Sequence, residues 1–309
     1  MSSLTASARK VLIIRFSSMG DVVLTSPVVR SLKQARPEVQ IHFLTKVAYA
    51  PLVEHSPYVD RVHCLGDHFS ELLTQLKAEQ FDYIIDLHRN LRSLRIKLAL
   101  KKPSVAFDKQ NLRKWWMVRS KKTQPEIGHI VDRYADTLKG FDLSLDDKGL
   151  ELFLPPELDG FGEQIVSENQ LNRPLAVVLG ATHATKRWLP KHFVAALNEL
   201  GRDVVLLGGK DMKTEAQFIS EHLHVRHLNG VGEYSMLESA ALLKACPNVL
   251  THDTGLMHIA AAFKIPSVVL WGNTVPAFGM YPFRSPHKNL EASRPRHTTR
   301  KAWRCAPDL

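Results

Sequence analysis

The chain has 309 residues, more than a single hydrophobic core usually holds, so two domains are expected. Hydrophobic residues make up 44% and charged residues 23%, and no apolar run approaches the ~20 residues that cross a bilayer. The start, "MSSLTASARK", lacks the apolar stretch of a secretory signal, and Cys64, Cys246 and Cys305 form neither a disulfide framework nor a C-x-x-C metal site, so a reduced, cytoplasmic protein is expected.

In chain order, short β-branched runs alternate with helix-spaced stretches. The first half predicts strands at "VLIIRF", "QIHFLT", "RVHCL", "DYIIDLH" and "SVAF", with helices such as "SPVVRSLKQA" and "FSELLTQLKAEQ" between them. The second half restarts the pattern with strands "LAVVLGA", "DVVLLGG", "VRHLNG", "NVLTHD" and "SVVLWG". Its helices are "KHFVAALNEL", "TEAQFISEHL", "SMLESAALLKA" and "GLMHIAAAF". Strand–helix alternation of this kind predicts parallel, doubly wound sheets. The expected boundary lies in "LFLPPELDGFG", where Pro155 and Pro156 interrupt the chain. This gives domains at 1–155 and 156–285 and a basic tail at 286–309.

Three loops at strand carboxyl ends carry the chemistry, because in open α/β sheets that edge is where ligands bind. In "RFSSMGDVVLTSP", Asp21 stands between the first strand and its helix, where it reads either as an N-cap or as a functional acid. In "VVLGATHATKRWLPKHF", Thr182, Thr185 and Lys186 offer hydroxyls and an ammonium suited to phosphate oxygens. In "NVLTHDTGLMHIAAAF", Asp253, Thr254 and Gly255 lead into a helix whose first N–H groups and positive dipole end favour a diphosphate, and His258 follows within a turn.

The net charge of +10 is concentrated in one segment. Between Arg89 and Lys122 there are twelve Lys and Arg against Asp108 alone, so the rest of the chain is nearly neutral. Such a segment, with Arg92, Arg113, Lys114, Lys121 and Lys122 among its charges, is expected to face a phosphorylated substrate, an anionic lipid surface or nucleic acid, or to be a solvated face. Trp115–Trp116 is its main aromatic feature, so the interleaved aromatics of nucleic-acid modules are missing and no nucleic-acid partner is expected.

Together, "LIIRFSSMGDVVLTSPVVRSLKQARP" and "THDTGLMHIAAAFKIPSVVLWGNT" resemble glycosyltransferase family 9, the ADP-heptose:lipopolysaccharide heptosyltransferases. The resemblance runs from about residue 10 to about residue 285 and implies a GT-B architecture: two facing Rossmann-like domains, the first for the acceptor and the second for the donor nucleotide. It also implies inverting, single-displacement transfer from ADP-heptose to the lipopolysaccharide core or a lipid A precursor, with no cofactor and no metal. The absence of D-x-D and of G-x-G-x-x-G from the sequence is in keeping with this. By similarity Asp21 is the general base and Lys186 stabilises the departing ADP. Thr182, Asp253, Thr254, Gly255 and His258 hold the donor, Glu215 and Ser235 match nucleotide contacts, and His129 matches a position on the acceptor side. The alternatives are a relative using another nucleotide sugar or acceptor, a non-catalytic sugar-nucleotide-binding protein, which would not need Asp21, and a nucleic-acid-binding protein. The basic tail after Pro286 departs from the family's pattern.

Overall fold

The computed structural model describes residues 8–110, 128–180, 187–272 and 274–291. Of the expected site residues, Thr182, Lys186, Arg113, Lys114, Lys121 and Lys122 lie outside them, as do Thr185, the tryptophan pair and tail residues 292–309.

The first half runs β1 (Lys10–Ile14), α1 (Met19–Val23), α2 (Ser26–Ala35), β2 (Gln40–Lys46), α3 (Pro51–Glu54), β3 (Arg61–Leu65), α4 (Phe69–Ala78), β4 (Tyr83–Asp86), α5 (Leu91–Leu100), β5 (Ser104–Ala106) and α6 (Ile130–Ala135). The second half runs α7 (Phe161–Glu168), β6 (Leu175–Val178), α8 (Pro190–Leu200), β7 (Val204–Leu207), α9 (Lys213–His222), β8 (His227–Asn229), α10 (Met236–Lys244), β9 (Asn248–His252), α11 (Gly255–Ala262), β10 (Ser267–Trp271) and β11 (His287–Glu291). Both sheets are wholly parallel, in the orders β3-β2-β1-β4-β5 and β11-β10-β9-β6-β7-β8. Helices cover both faces, so the central strands are apolar throughout: Val11–Ile14 and Leu175–Val178 are buried at every position.

Each sheet reverses its winding once, between β1 and β4 in the first and between β6 and β9 in the second. A crevice opens at the carboxyl ends of the strands flanking such a switch point, because the following loops diverge to opposite faces. The loops carrying Asp21 and Asp253 follow β1 and β9. Topology therefore places both at the switch points.

All ten expected strands are present. The second sheet has one more, His287–Glu291, beyond the expected end at 285, pairing in register from Ser267↔His287 to Trp271↔Glu291. Its burial pattern is almost entirely exposed, as befits an edge strand, and that is why hydrophobic periodicity passed over it. The expected boundary falls just before a 3-10 turn at Pro156–Leu158.

The segment preceding that boundary is anchored by a buried arginine. Arg30 of α2 is fully buried; its Nε donates to Asp146 Oδ2 at 2.7 Å, its Nη2 to the Gly149 carbonyl at 2.9 Å, and its Nη1 lies 2.8 Å from Glu151 Oε2. Arg30→Met is expected to cost about 3 kcal/mol, the low end for breaking a buried ion pair, since the two carboxylates keep 25% and 26% of their side-chain surface in water. Urea denaturation checks this, and a loss below about 1 kcal/mol would mean that the pairs behave as surface pairs.

Candidate active site

The two switch-point loops meet. α1 begins immediately after the first of them and α11 immediately after the second, and the helices pack start to start across the domain junction. Two glycines permit the approach: a Cβ on Gly20 would lie 2.4 Å from His258 Cδ2, and one on Gly255 would lie 2.8 Å from Met19 Cβ. Above this junction opens a cleft of about 460 Å³. From the first domain it is lined by Arg15, Ser18, Asp21, His88, Lys109, Arg133 and Tyr134, and from the second by Asp253, Thr254, Gly255, His258, Trp271 and Thr274, with apolar residues between.

Asp21 is not an N-cap. It occupies the third position of α1, where Ser18 is the N-cap, and its Oδ2 accepts from the Ser18 backbone N–H at 3.1 Å and the Ser18 hydroxyl at 2.8 Å. Its Oδ1 lies 2.8 Å from Arg15 Nη2. Burial alone would raise its pKa, but the Arg15 charge and the two Ser18 bonds outweigh that and hold the carboxyl below its ordinary value. Asp21 is therefore a fixed carboxylate facing a cleft, with Oδ2 taken up by the two Ser18 donors and Oδ1 keeping a further lone pair beside Arg15. Arg15 is itself held by the Leu87 carbonyl at 2.6 Å and lies over the Tyr134 ring at 5.7 Å.

Thr254 is the N-cap of α11, its hydroxyl accepting from the Met257 N–H at 3.4 Å. Asp253 Oδ2 accepts from the Thr274 hydroxyl at 3.0 Å, tying the ends of β9 and β10 together. Gly255 opens the helix at the cleft wall. His258 is 2% exposed and lies against Gly20. Asp21, Asp253, Thr254, Gly255 and His258 thus converge on one cavity.

The other expected residues that are described do not line it. Ser235 caps α10 in a reciprocal box, its hydroxyl accepting from the Glu238 N–H at 3.3 Å while Glu238 Oε2 accepts from the Ser235 N–H at 2.7 Å. Glu215 sits in the first turn of α9, 3.9 Å from Arg187, on a separate pocket of about 190 Å³ that includes Gly180, Trp188, Met212 and His252. His129 is a structural tie. Its Nε2 donates to the Tyr281 carbonyl at 2.9 Å and its Nδ1 accepts from the Val131 N–H at 3.2 Å, which occupies both nitrogens. Burial pushes its pKa down to about 4, and its ring packs between Tyr281 and Phe283. Arg92 is exposed on α5, outside the cleft.

Besides Ser18, five polar residues of the cleft's first-domain wall were not singled out in the sequence. Arg15 and His88 follow β1 and β4 and obey the same strand-end rule as Asp21. Lys109 follows β5. Burial together with the Arg15 and Lys109 charges pushes His88 down to about 4, so it is neutral, and burial lowers Lys109. Arg133 and Tyr134 come from α6, where no strand-end rule applies. Arg133 is 3% exposed; its Nη1 donates to the Lys109 carbonyl at 3.2 Å, while its Nε and Nη2, like the Tyr134 hydroxyl, have no partner among the described residues. A buried, half-satisfied guanidinium on a cleft wall is built to receive an anion or hydroxyl.

Among the described residues the grouping closest to metal-ligand spacing is His42, His63 and Glu79, away from the cleft. There the two rings hydrogen-bond each other at 2.9 Å, and Glu79 is taken by Lys10 at 3.2 Å and Arg61 at 2.5 Å. No helix among the described residues is long and apolar enough to cross a membrane.

Two facing doubly wound domains, with a carboxylate loop of one opposite a helix start of the other, make up a GT-B architecture. The chain belongs to glycosyltransferase family 9 (heptosyltransferase), whose sequence model matches residues 69–302. That span holds the D-T-G loop and stops short of Asp21. Relatives align over most of the chain: it is 26% identical to lipopolysaccharide heptosyltransferase 2 of Escherichia coli, over 87% of this chain and 84% of that protein, and 25% identical to lipopolysaccharide heptosyltransferase 1 of Pseudomonas aeruginosa, over 87% and 80%. Among solved structures, the fold superposes on a family 9 glycosyl transferase of Veillonella parvula with a TM-score of 0.79, at 21% identity and covering 92% of this chain and 87% of that one. It superposes on ADP-heptose LPS heptosyltransferase II of E. coli with a TM-score of 0.73, at 23% identity and covering 91% and 90%.

Proposed function

We propose that the enzyme transfers heptose from ADP-heptose to the inner core of lipopolysaccharide, with inversion and without a metal, at the cytoplasmic surface of an anionic membrane. The observation that carries this is the meeting of Asp21 with the Asp253–Gly255 helix start across one cleft. The donor diphosphate sits at the α11 start, where unpaired N–H groups and the helix dipole favour negative charge. Thr182 and Lys186, outside the described residues, are assigned to its phosphates by family resemblance. Asp253 and His258 contact the heptose hydroxyls, and the pocket bearing Glu215 takes the nucleoside. The acceptor lies against Arg133 and Lys109, whose cations suit the acidic groups of a lipopolysaccharide core. One acceptor hydroxyl attacks the anomeric carbon; its oxygen forms the new C–O bond as the bond to the diphosphate breaks. Asp21 takes the hydroxyl proton, and ADP leaves with the bonding electrons, its growing charge met by Lys186.

The test is ADP release from ADP-heptose with and without lipid-free core oligosaccharide, with the product's anomeric configuration read by NMR. Acceptor-dependent release, inversion and indifference to EDTA are expected. Lys186→Ala should weaken donor binding and slow release together. Equal release without acceptor, or equal turnover of another nucleotide sugar, overturns the assignment.

A further inference from the structure

α5 carries an exposed apolar stripe. Its inner face is fully engaged: Ser93, Ile96 and Leu100 are buried, the Ser93 hydroxyl donates to Asp86 Oδ2 at 2.8 Å, and Lys97 Nζ lies 3.0 Å from the same carboxylate. Its ends are fixed as well, by an Asn90 side chain accepting from the Ser93 N–H and by a left-handed Lys101. On the outer face stand Leu91, Leu94 and Leu98, 79%, 45% and 65% exposed, at the spacing that aligns side chains on one helical stripe. Cations border that stripe on both sides. By helical spacing Arg95 and Arg92 fall on one flank and Lys101 on the other, all exposed, and Arg95 is steadied over the Phe69 ring at 4.7 Å.

We propose that this face of α5 is the surface on which the enzyme sits on an anionic phospholipid bilayer, the leucines entering the acyl boundary and the arginines and lysine meeting lipid phosphates. This specifies the membrane contact of the functional reading above and rests on that reading for the identity of the acceptor. Three observations favour a bilayer over other occupants. A rigid, short helix with leucines on one stripe and cations along both edges has the form of an interfacial helix, which lies in the membrane plane. A second copy docked face to face would bring the same cations together. The stripe also starts close in the chain to the cleft wall: Leu91 follows His88, a cleft-lining residue, by three positions, so a lipid anchored beside α5 would hold its sugar on the cleft's side of the first domain.

The experiment uses the full chain and vesicles of phosphatidylcholine with or without phosphatidylglycerol, with no sugar present. Wild type should co-sediment with the anionic vesicles and far less with pure phosphatidylcholine. Leu91→Ser/Leu94→Ser/Leu98→Ser should lower the partition coefficient at least about tenfold, since it removes most of the insertable apolar surface. Its thermal midpoint should be unchanged. The same variant should lose kcat/KM for a vesicle-embedded acceptor and keep it for a lipid-free oligosaccharide. Wild type failing to bind anionic vesicles, or the triple variant binding as wild type does, overturns the proposal. So does a self-associating wild type that the triple variant renders monomeric, because the stripe would then be a contact between copies. Failure of transfer to the lipid-free acceptor sinks the functional reading instead and leaves the vesicle result standing.

Discussion

Asp21→Asn should lower the rate of the chemical step by ~10²–10⁴-fold while leaving donor affinity nearly unchanged, the range expected when a general base is removed. The substitution keeps the size of the side chain and an oxygen for the Ser18 donors, but it presents an amide to Arg15, whose Nη2 then loses its carboxylate partner. Stability should fall by about 1–3 kcal/mol as a donor is left unpaired. Single-turnover rates at saturating substrate, with donor affinity from calorimetry on the same folded sample, separate the two effects. A variant retaining more than about a tenth of wild-type turnover would show that Asp21 does not take the proton. The pH dependence follows from the sign of the shift. Burial works against ionisation, but Arg15 and Ser18 prevail and the folded-state pKa lies below the ordinary value. The carboxylate therefore persists throughout the neutral range, and Asp21 should contribute no acid limb to kcat/KM above about pH 4. By linkage, its contribution to stability is present above the unfolded pKa of about 4 and is lost as pH falls through the lowered folded value.

Gly20→Ala should both destabilise the protein and nearly silence it. In an unobstructed helix this change favours folding by roughly 0.5–1 kcal/mol, because alanine loses less backbone freedom than glycine. Here the new methyl would lie 2.4 Å from His258 Cδ2 and 3.3 Å from Gly255 Cα, so either the buried imidazole moves or the two helix starts separate. Overpacking of this kind costs about 1–3 kcal/mol, which reverses the usual sign. The displaced group lines the cleft, and misplacement by an ångström can lower turnover about 10²-fold. Thermal unfolding and kcat measured on one preparation give both readouts. A stabilised, fully active Gly20→Ala would mean that the start-to-start contact of α1 and α11 is not kept in solution.

How far the sequence reached can be traced residue by residue. The β-branched runs and the punctuation around them announced ten parallel strands and two doubly wound halves, because a strand buried on both faces must be apolar along its length. The rule that ligands gather at strand carboxyl ends then found the Asp21 and Asp253 loops, since it needs only local order along the chain. It applied equally to Arg15 and His88, which could have been drawn out by it. It could not decide what each polar residue does with its hydrogen bonds. Asp21 sits at the third helical position behind a Ser18 cap, Ser235 is spent in a reciprocal box with Glu238, and His129 has both ring nitrogens bound within the fold.

The sequence by itself determined the fold class and the positions of the loops, because strand burial and helix starts are properties of neighbours in the chain. Tertiary structure decided which of those loops share a cavity. Strand order placed Asp21 and Asp253 at the two switch points, and Gly20 and Gly255 let the two helix starts close upon each other. Tertiary structure also brought in Arg133 and Tyr134 from a helix with no motif, and it turned Leu91, Leu94 and Leu98 to the outside. Which stripe of a helix meets the core is set by the sheet it packs on, and the chain's local periodicity carries no record of that choice when apolar residues lie on both sides.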